Sequence, residues 1–234
     1  MRWMWTLVWL AGTAWAEEGA RSLMRDLMEA RESLSEVPFA EVVQASTGRK
    51  VLPVVAGRDG ALLARIGGAL DEVMRRVGEP GHPAHDEKRI NEVSRHFEEA
   101  IRAVLAATPG FECDYPLNAE GRPQRSGYPD LRLVDVASGR VIYLDPKLFA
   151  AGSRSSSLRT FYFTPQQETG KIHEDAHHLL IGIAHHGKED GRWRFGTWEL
   201  VDLSRFRVRL KLEFQAGNRD LYRDENIVLR GEER

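Results

Sequence analysis

The sequence predicts an α/β protein, a mixed central β-sheet flanked by helices, with a small helical segment at its N-terminal end. Three observations carry that expectation. Apolar residues recur at helical spacing in the first half of the chain, at Leu23, Leu27, Ala30 and Leu34 and again at Ile90, Val93, Phe97, Ile101 and Val104. From Leu131 the period changes to two, and a Ser138-Gly139 turn is followed by the β-formers Val141, Ile142 and Tyr143. Further strand-length runs between glycines fill the last third of the chain.

Taken in order, the spacing predicts a helix over residues 19–35, a turn at Ser46 to Lys50 and an extended stretch around Pro53. A second helix is expected over Ala61 to Val77. Gly78, Pro80, Gly81 and Pro83 then make the clearest break, so residues 17–80 are assigned to the helical segment and 81–234 to the main domain. A helix of about two dozen residues should follow that break. Phe111 and Cys113 mark a strand, residues 131–147 a hairpin, and Gly152 to Ser157 a small-residue loop. Strands are expected at 158–163, 178–185, 193–202 and 206–215.

Composition narrows the class. With 234 residues, 42% of them hydrophobic and 29% charged, the chain can bury a sizeable core and has neither a disordered nor a membrane-embedded composition. The single cysteine, Cys113, excludes an intramolecular disulfide. At the N-terminus Arg2, the apolar run Trp3 to Leu10 and Ala14-Trp15-Ala16 have the pattern of a signal peptide over residues 1–16. On that reading the mature protein is secreted or periplasmic, without stable membrane association after cleavage.

The chemistry concentrates in Tyr128-Pro129-Asp130 and Leu144-Asp145-Pro146-Lys147. Folding the hairpin back brings Asp130 and Asp145 to one end of a sheet, where two hard carboxylates suit Mg²⁺ or Mn²⁺ and leave positions for water and a phosphate oxygen. Lys147, two residues on, points to the same strand face as Asp145 and can orient the attacking water or offset charge on the phosphorane. The net charge of −2 does not advertise a nucleic-acid binder. Even so, residues 122–159 hold seven bases, Arg122, Arg125, Arg132, Arg140, Lys147, Arg154 and Arg159, against three acids, and two of those acids are the candidate ligands.

These motifs resemble the PD-(D/E)XK nuclease superfamily, the restriction-endonuclease-like fold, over about residues 85–186. The resemblance implies that Asp130 and Asp145 bind metal and that Lys147 is catalytic. It also implies a helix glutamate, for which Glu92 is the candidate, and allows the carbonyl of Pro146 as a further ligand. The implied activity is Mg²⁺-dependent endonucleolytic hydrolysis of nucleic acid, DNA being the first expectation, with a homodimer as the expected assembly. Proline between acid and lysine departs from an ordinary strand, and residue 146 should sit at a strand end, an edge or a bulge. A degenerate, binding-only site on the same fold is the alternative.

A rival motif lies downstream. His173-Glu174-Asp175-Ala176-His177 matches H-E-x-x-H, which within a long helix would make a zinc metalloprotease. Pro165 and Gly170 upstream and the apolar run from His178 to Ala184 downstream leave room for two helical turns at most. The string is therefore expected to be a chance match on a short surface helix.

Overall fold

The structure, a computed structural model, describes residues 18–30, 34–156, 161–165, 170–211, 213 and 215–230. The chain divides into two compact units, Pro38–Arg207 and a second made of Met1–Val37 with Val208–Arg234. In the second unit residues 18–30 are helical and Asn218–Leu221 forms one helical turn.

Among its described residues the larger unit holds three α-helices, α1 (Phe39–Thr47), α2 (Ala56–Val77) and α3 (Ile90–Ala107). Five strands follow: β1 (Phe111–Asp114), β2 (Leu131–Asp135), β3 (Arg140–Ala150), β4 (His177–Glu189) and β5 (Arg192–Asp202). They form one sheet in the order β1-β2-β3-β4-β5, in which only the β3–β4 pair is parallel. The expected α/β class, a mixed sheet flanked by helices, is borne out.

Alternation along the strands explains the layers. Leu131 and Leu133 on β2, Ile142 and Leu144 on β3, and Leu179, Ile181 and Ile183 on β4 point to one face. There they pack against Leu62, Ile66, Leu70 and Val73 of α2 and Val93, Phe97, Ile101 and Leu105 of α3. Both helices thus share one core with the sheet, and each residue of that list is at most 6% exposed. The other face carries Tyr143 and His178; His178 lies edge-on to Tyr143 and to Phe39 of α1 and stacks on Tyr128, and Phe39 in turn meets Tyr128, Phe161, Phe163 and Phe206 edge to face.

The hairpin between β2 and β3 runs in the register Leu131↔Leu144 to Asp135↔Arg140. Its turn closes with the Gly139 N–H on the Asp135 carbonyl at 2.8 Å, and Gly139 has φ +67°, a left-handed conformation that costs glycine little. The parallel β3–β4 pair needs a crossover, supplied here by residues 151–176. Its one regular element among the described residues is a 3₁₀ turn at Ala151–Ser153.

Some expectations are corrected. The expected strand at 206–215 shrinks to Arg207–Val208, and residues 209–211 have no regular structure. Of the expected strand 158–163, residues 161–163 are irregular and 158–160 lie outside the described residues, as does the proposed signal peptide 1–16. The H-E-x-x-H string forms no helix. Residues 173–175 are irregular, Ala176 makes an isolated parallel bridge to Val51 and His177 opens β4, because the apolar run behind it is drawn into the sheet beside β3.

Candidate active site

Asp130 precedes β2 and extends its ladder by one bond, donating its N–H to the Leu144 carbonyl at 3.1 Å. That bond brings Asp130 alongside the point of β3 from which Asp145 and Lys147 project. Lys147 Nζ lies 2.8 Å from Asp145 Oδ2 and 3.4 Å from Asp130 Oδ2, so the three expected side chains converge. Asp145 is almost wholly buried, at 3% side-chain exposure, whereas Asp130 and Lys147 reach solvent at 18% and 30%. The cluster is therefore open on one side.

Burial has an electrostatic consequence. Loss of hydration, reinforced by the charge of Asp130, pushes the Asp145 carboxyl up to about 7, although Lys147 acts in the opposite direction. For Lys147 burial opposes the charge, but the two aspartates outweigh it and the ammonium is held more firmly than in water. The cluster has two acids and one committed base. Asp145 Oδ2 is buried and lacks a hydrogen bond of good geometry.

Pro146 occupies the middle of an eleven-residue strand, facing Ile181 of β4 in register. It is tolerated because peptide groups alternate sides along a strand. Leu144 directs its carbonyl toward β2, so Pro146 directs its missing N–H the same way, past the point where β2 pairing ends. Continuing the register would set Pro146 opposite Pro129, and neither can donate. Residue 146 is interior on its β4 side and an edge on its β2 side, with its carbonyl left out of the β2 ladder.

Glu92 is placed otherwise. Its carboxylate accepts the Arg89 N–H at 3.1 Å and caps the start of α3. The helix glutamate that the cluster does feel is Glu98. Burial raises its pKa, and among the charges acting on it are Arg125 and Asp130. At 100° per residue Glu98 sits about 100° from the centre of the apolar stripe of α3, against about 140° for Glu92, so the wheel alone favoured it.

Sequence reasoning also missed Lys171, which is 2% exposed and arrives from the crossover that feeds β4. Its ammonium donates to the carbonyls of Gly127 at 2.5 Å and Gln124 at 3.2 Å, tying down the turn that leads into Pro129-Asp130. Burial lowers its pKa to about 8, against the pull of Asp130, Asp145 and Glu98. An isolated lysine in a loop carries no periodic signal, and nothing in the sequence marks it. Tyr128, beside Pro129, is fixed by its hydroxyl against Nδ1 of His178 at 2.7 Å.

The histidines of the rival motif diverge. His173 Nε2 lies 3.0 Å from the Leu117 carbonyl and His177 Nδ1 3.0 Å from the Leu52 carbonyl. Glu174 is taken by Arg132 at 2.6 Å and by the hydroxyl of Tyr143. Among the described residues no three His, Cys, Asp or Glu side chains form a ready metal cage. The Asp130–Asp145 pair nonetheless has the character of a site for a hard cation: two carboxylates side by side, one with an under-bonded buried oxygen, a cationic lysine already drawn to both, and an open side for water.

The basic stretch is compensated from elsewhere in the chain. Arg125 pairs with Glu98 and Glu99, Arg132 with Glu174, Arg140 with Asp59 and Arg154 with Glu199. Arg122 pairs with Glu120, and Arg159 lies outside the described residues. Trp193 and Trp198 pack against the core and donate to the Glu87 carbonyl and to Asp71, which is a structural use of both rings.

Comparison with known proteins bears on this geometry. The model of the type II restriction enzyme MjaV family matches residues 33–225. The type II restriction enzyme MjaV of Methanocaldococcus jannaschii is 31% identical over 224 residues, an alignment that takes in 90% of this chain and 94% of that protein. This likeness overturns the expectation of a signal peptide and of a secreted or periplasmic protein, because a restriction enzyme is expected to meet DNA inside the cell that makes it.

Proposed function

Since the chain belongs to the type II restriction enzyme MjaV family, we propose that it cleaves DNA by metal-dependent hydrolysis of phosphodiester bonds, with Asp130, Asp145 and Lys147 as the reacting site. The observation that supports this reading best is the convergence of Lys147 on both aspartates, 2.8 and 3.4 Å away, at an open sheet end.

Asp130 and Asp145 would hold Mg²⁺ or Mn²⁺, with the Pro146 carbonyl, free of the β2 ladder, and Glu98 in place of Glu92 as further donors. The bound cation would supply an acidified water and a Lewis acid for the phosphate oxygens. Asp145 must give up the proton that its burial favours before it can act as a ligand. Lys147, loosened from Asp145 once that carboxylate is engaged, directs its ammonium to the attacked phosphate and offsets the charge that grows in the transition state. Lys171 keeps the Gln124–Gly127 turn, and so Asp130, in place.

A single site cuts one strand at a time, so a homodimer that sets one site on each strand of a duplex belongs to the same proposal. The test is digestion of plasmid DNA with and without EDTA, alongside Asp145→Asn. Discrete fragments that require Mg²⁺ and vanish in the variant support the reading; cleavage by the variant at the wild-type rate refutes it.

A further inference from the structure

Arg125 lies outside the set of side chains given a role above, and its position is specific. Its guanidinium forks between two successive glutamates of α3, 3.1 Å from Glu98 Oε1 and 3.2 Å from Glu99 Oε1, and lies 4.9 Å from the centroid of the Tyr115 ring. The arginine side chain is 46% exposed, whereas Glu98 beneath it is 17% exposed. One side of the fork thus meets solvent, and the other meets Glu98, a carboxylate within reach of the charge of Asp130.

Two cations compete for Glu98. A divalent ion held by Asp130 and Asp145 would draw on its carboxylate, and Arg125 already occupies Oε1. An arginine fork matches a phosphate as well as it matches a carboxylate. Exchanging Glu98 and Glu99 for a phosphate would leave Glu98 with a half-buried, unpaired charge, and a cation held by Asp130 and Asp145 would then draw on it.

We propose that Arg125 is a positioning residue that couples DNA binding to metal binding: it holds Glu98 while the protein is free of DNA, and releases it to the cation site when a backbone phosphate takes the guanidinium. The proposal rests on the nuclease reading above. By linkage the coupling is reciprocal, so metal must also tighten DNA binding.

The test measures Ca²⁺ affinity by calorimetry on the full chain, with and without sheared duplex DNA, for wild type, Arg125→Met, Arg125→Lys and Asp145→Asn. Wild type should bind Ca²⁺ more tightly when DNA is present. Arg125→Met should bind Ca²⁺ about fivefold more tightly than wild type without DNA, the effect of removing one partly exposed ion pair, and should gain nothing further from DNA. Arg125→Lys, which keeps the charge and loses the fork, should fall between the two and carries the test if the methionine variant does not fold. In the DNA arm, Arg125→Met should also lower the dependence of log affinity on log salt by about one. Unchanged or weaker Ca²⁺ binding by Arg125→Met without DNA, with Asp145→Asn still abolishing it, overturns the coupling alone. Ca²⁺ binding that survives in Asp145→Asn overturns the site, and the coupling with it.

Discussion

Lys147 stands 2.8 Å from Asp145 Oδ2, a buried oxygen on the same strand face two residues away. The pair is held by β3 alone, so its geometry follows from strand pleating and does not depend on a long-range contact. What the rest of the fold adds is Asp130, brought up by β2, and burial, imposed by the aromatic layer and the parallel strand β4.

Asp145→Asn should abolish Mg²⁺-dependent cleavage while the fold survives. Wild-type Asp145 carries a carboxyl raised from the ordinary 3.8 to about 7. A raised folded-state value contributes stability that is full below the unfolded pKa and is lost as pH rises through the folded one. In EDTA, wild type should therefore lose stability between about pH 4 and pH 7 relative to the asparagine variant. Parallel melting curves of the two proteins across that window would refute the burial argument.

Lys147→Ala should slow cleavage by roughly a hundredfold or more, the loss typical of one transition-state donor, and should weaken Ca²⁺-supported DNA binding far less. Single-turnover rates set beside Ca²⁺ binding isotherms separate the two. Equal factors in both would make Lys147 a phosphate-binding residue only.

Lys171→Met tests the buried lysine. Its pKa falls from the ordinary 10.5 to about 8, so the unfolded chain binds more protons between those values and wild-type stability should rise with pH across that window. The methionine variant should lack that rise. Its cleavage should also weaken, because the Gly127 and Gln124 carbonyls that hold the turn before Asp130 lose their donor. Wild-type activity together with an unchanged pH profile would remove Lys171 from the site.

His173→Ala and His177→Ala separate chance from function in the H-E-x-x-H string. Neither should alter zinc content. His177→Ala should cost about 1–3 kcal/mol, since it leaves the Leu52 carbonyl without its partner, while His173→Ala, with an exposed ring, should cost little. One equivalent of tightly held zinc lost in either variant would reopen the protease reading.

The α/β class, the hairpin and the approach of Asp130, Asp145 and Lys147 could be read from the sequence because each depends on local periodicity and on a turn of fixed chemistry. Strand alternation puts Asp145 and Lys147 on one face, and the Ser138-Gly139 turn sets the register that delivers Asp130. Glu92 drew attention because it begins a helix, yet that same position makes it the partner of a terminal N–H. Tertiary packing decided the rest. Glu98 feels the charge of Asp130 because the Phe97 stripe of α3 docks on the sheet, Lys171 comes to the turn because a crossover of irregular chain returns it beside Gly127, and Arg125, Arg132 and Arg140 are neutralised by glutamates and aspartates distant in sequence. Charge and burial depend on neighbours in space, which period and spacing along the chain do not encode. The sequence therefore determined which groups come together on the hairpin, and the packing decided which carboxyl has its pKa raised, which arginine is engaged and which helix glutamate feels the charge of the aspartates.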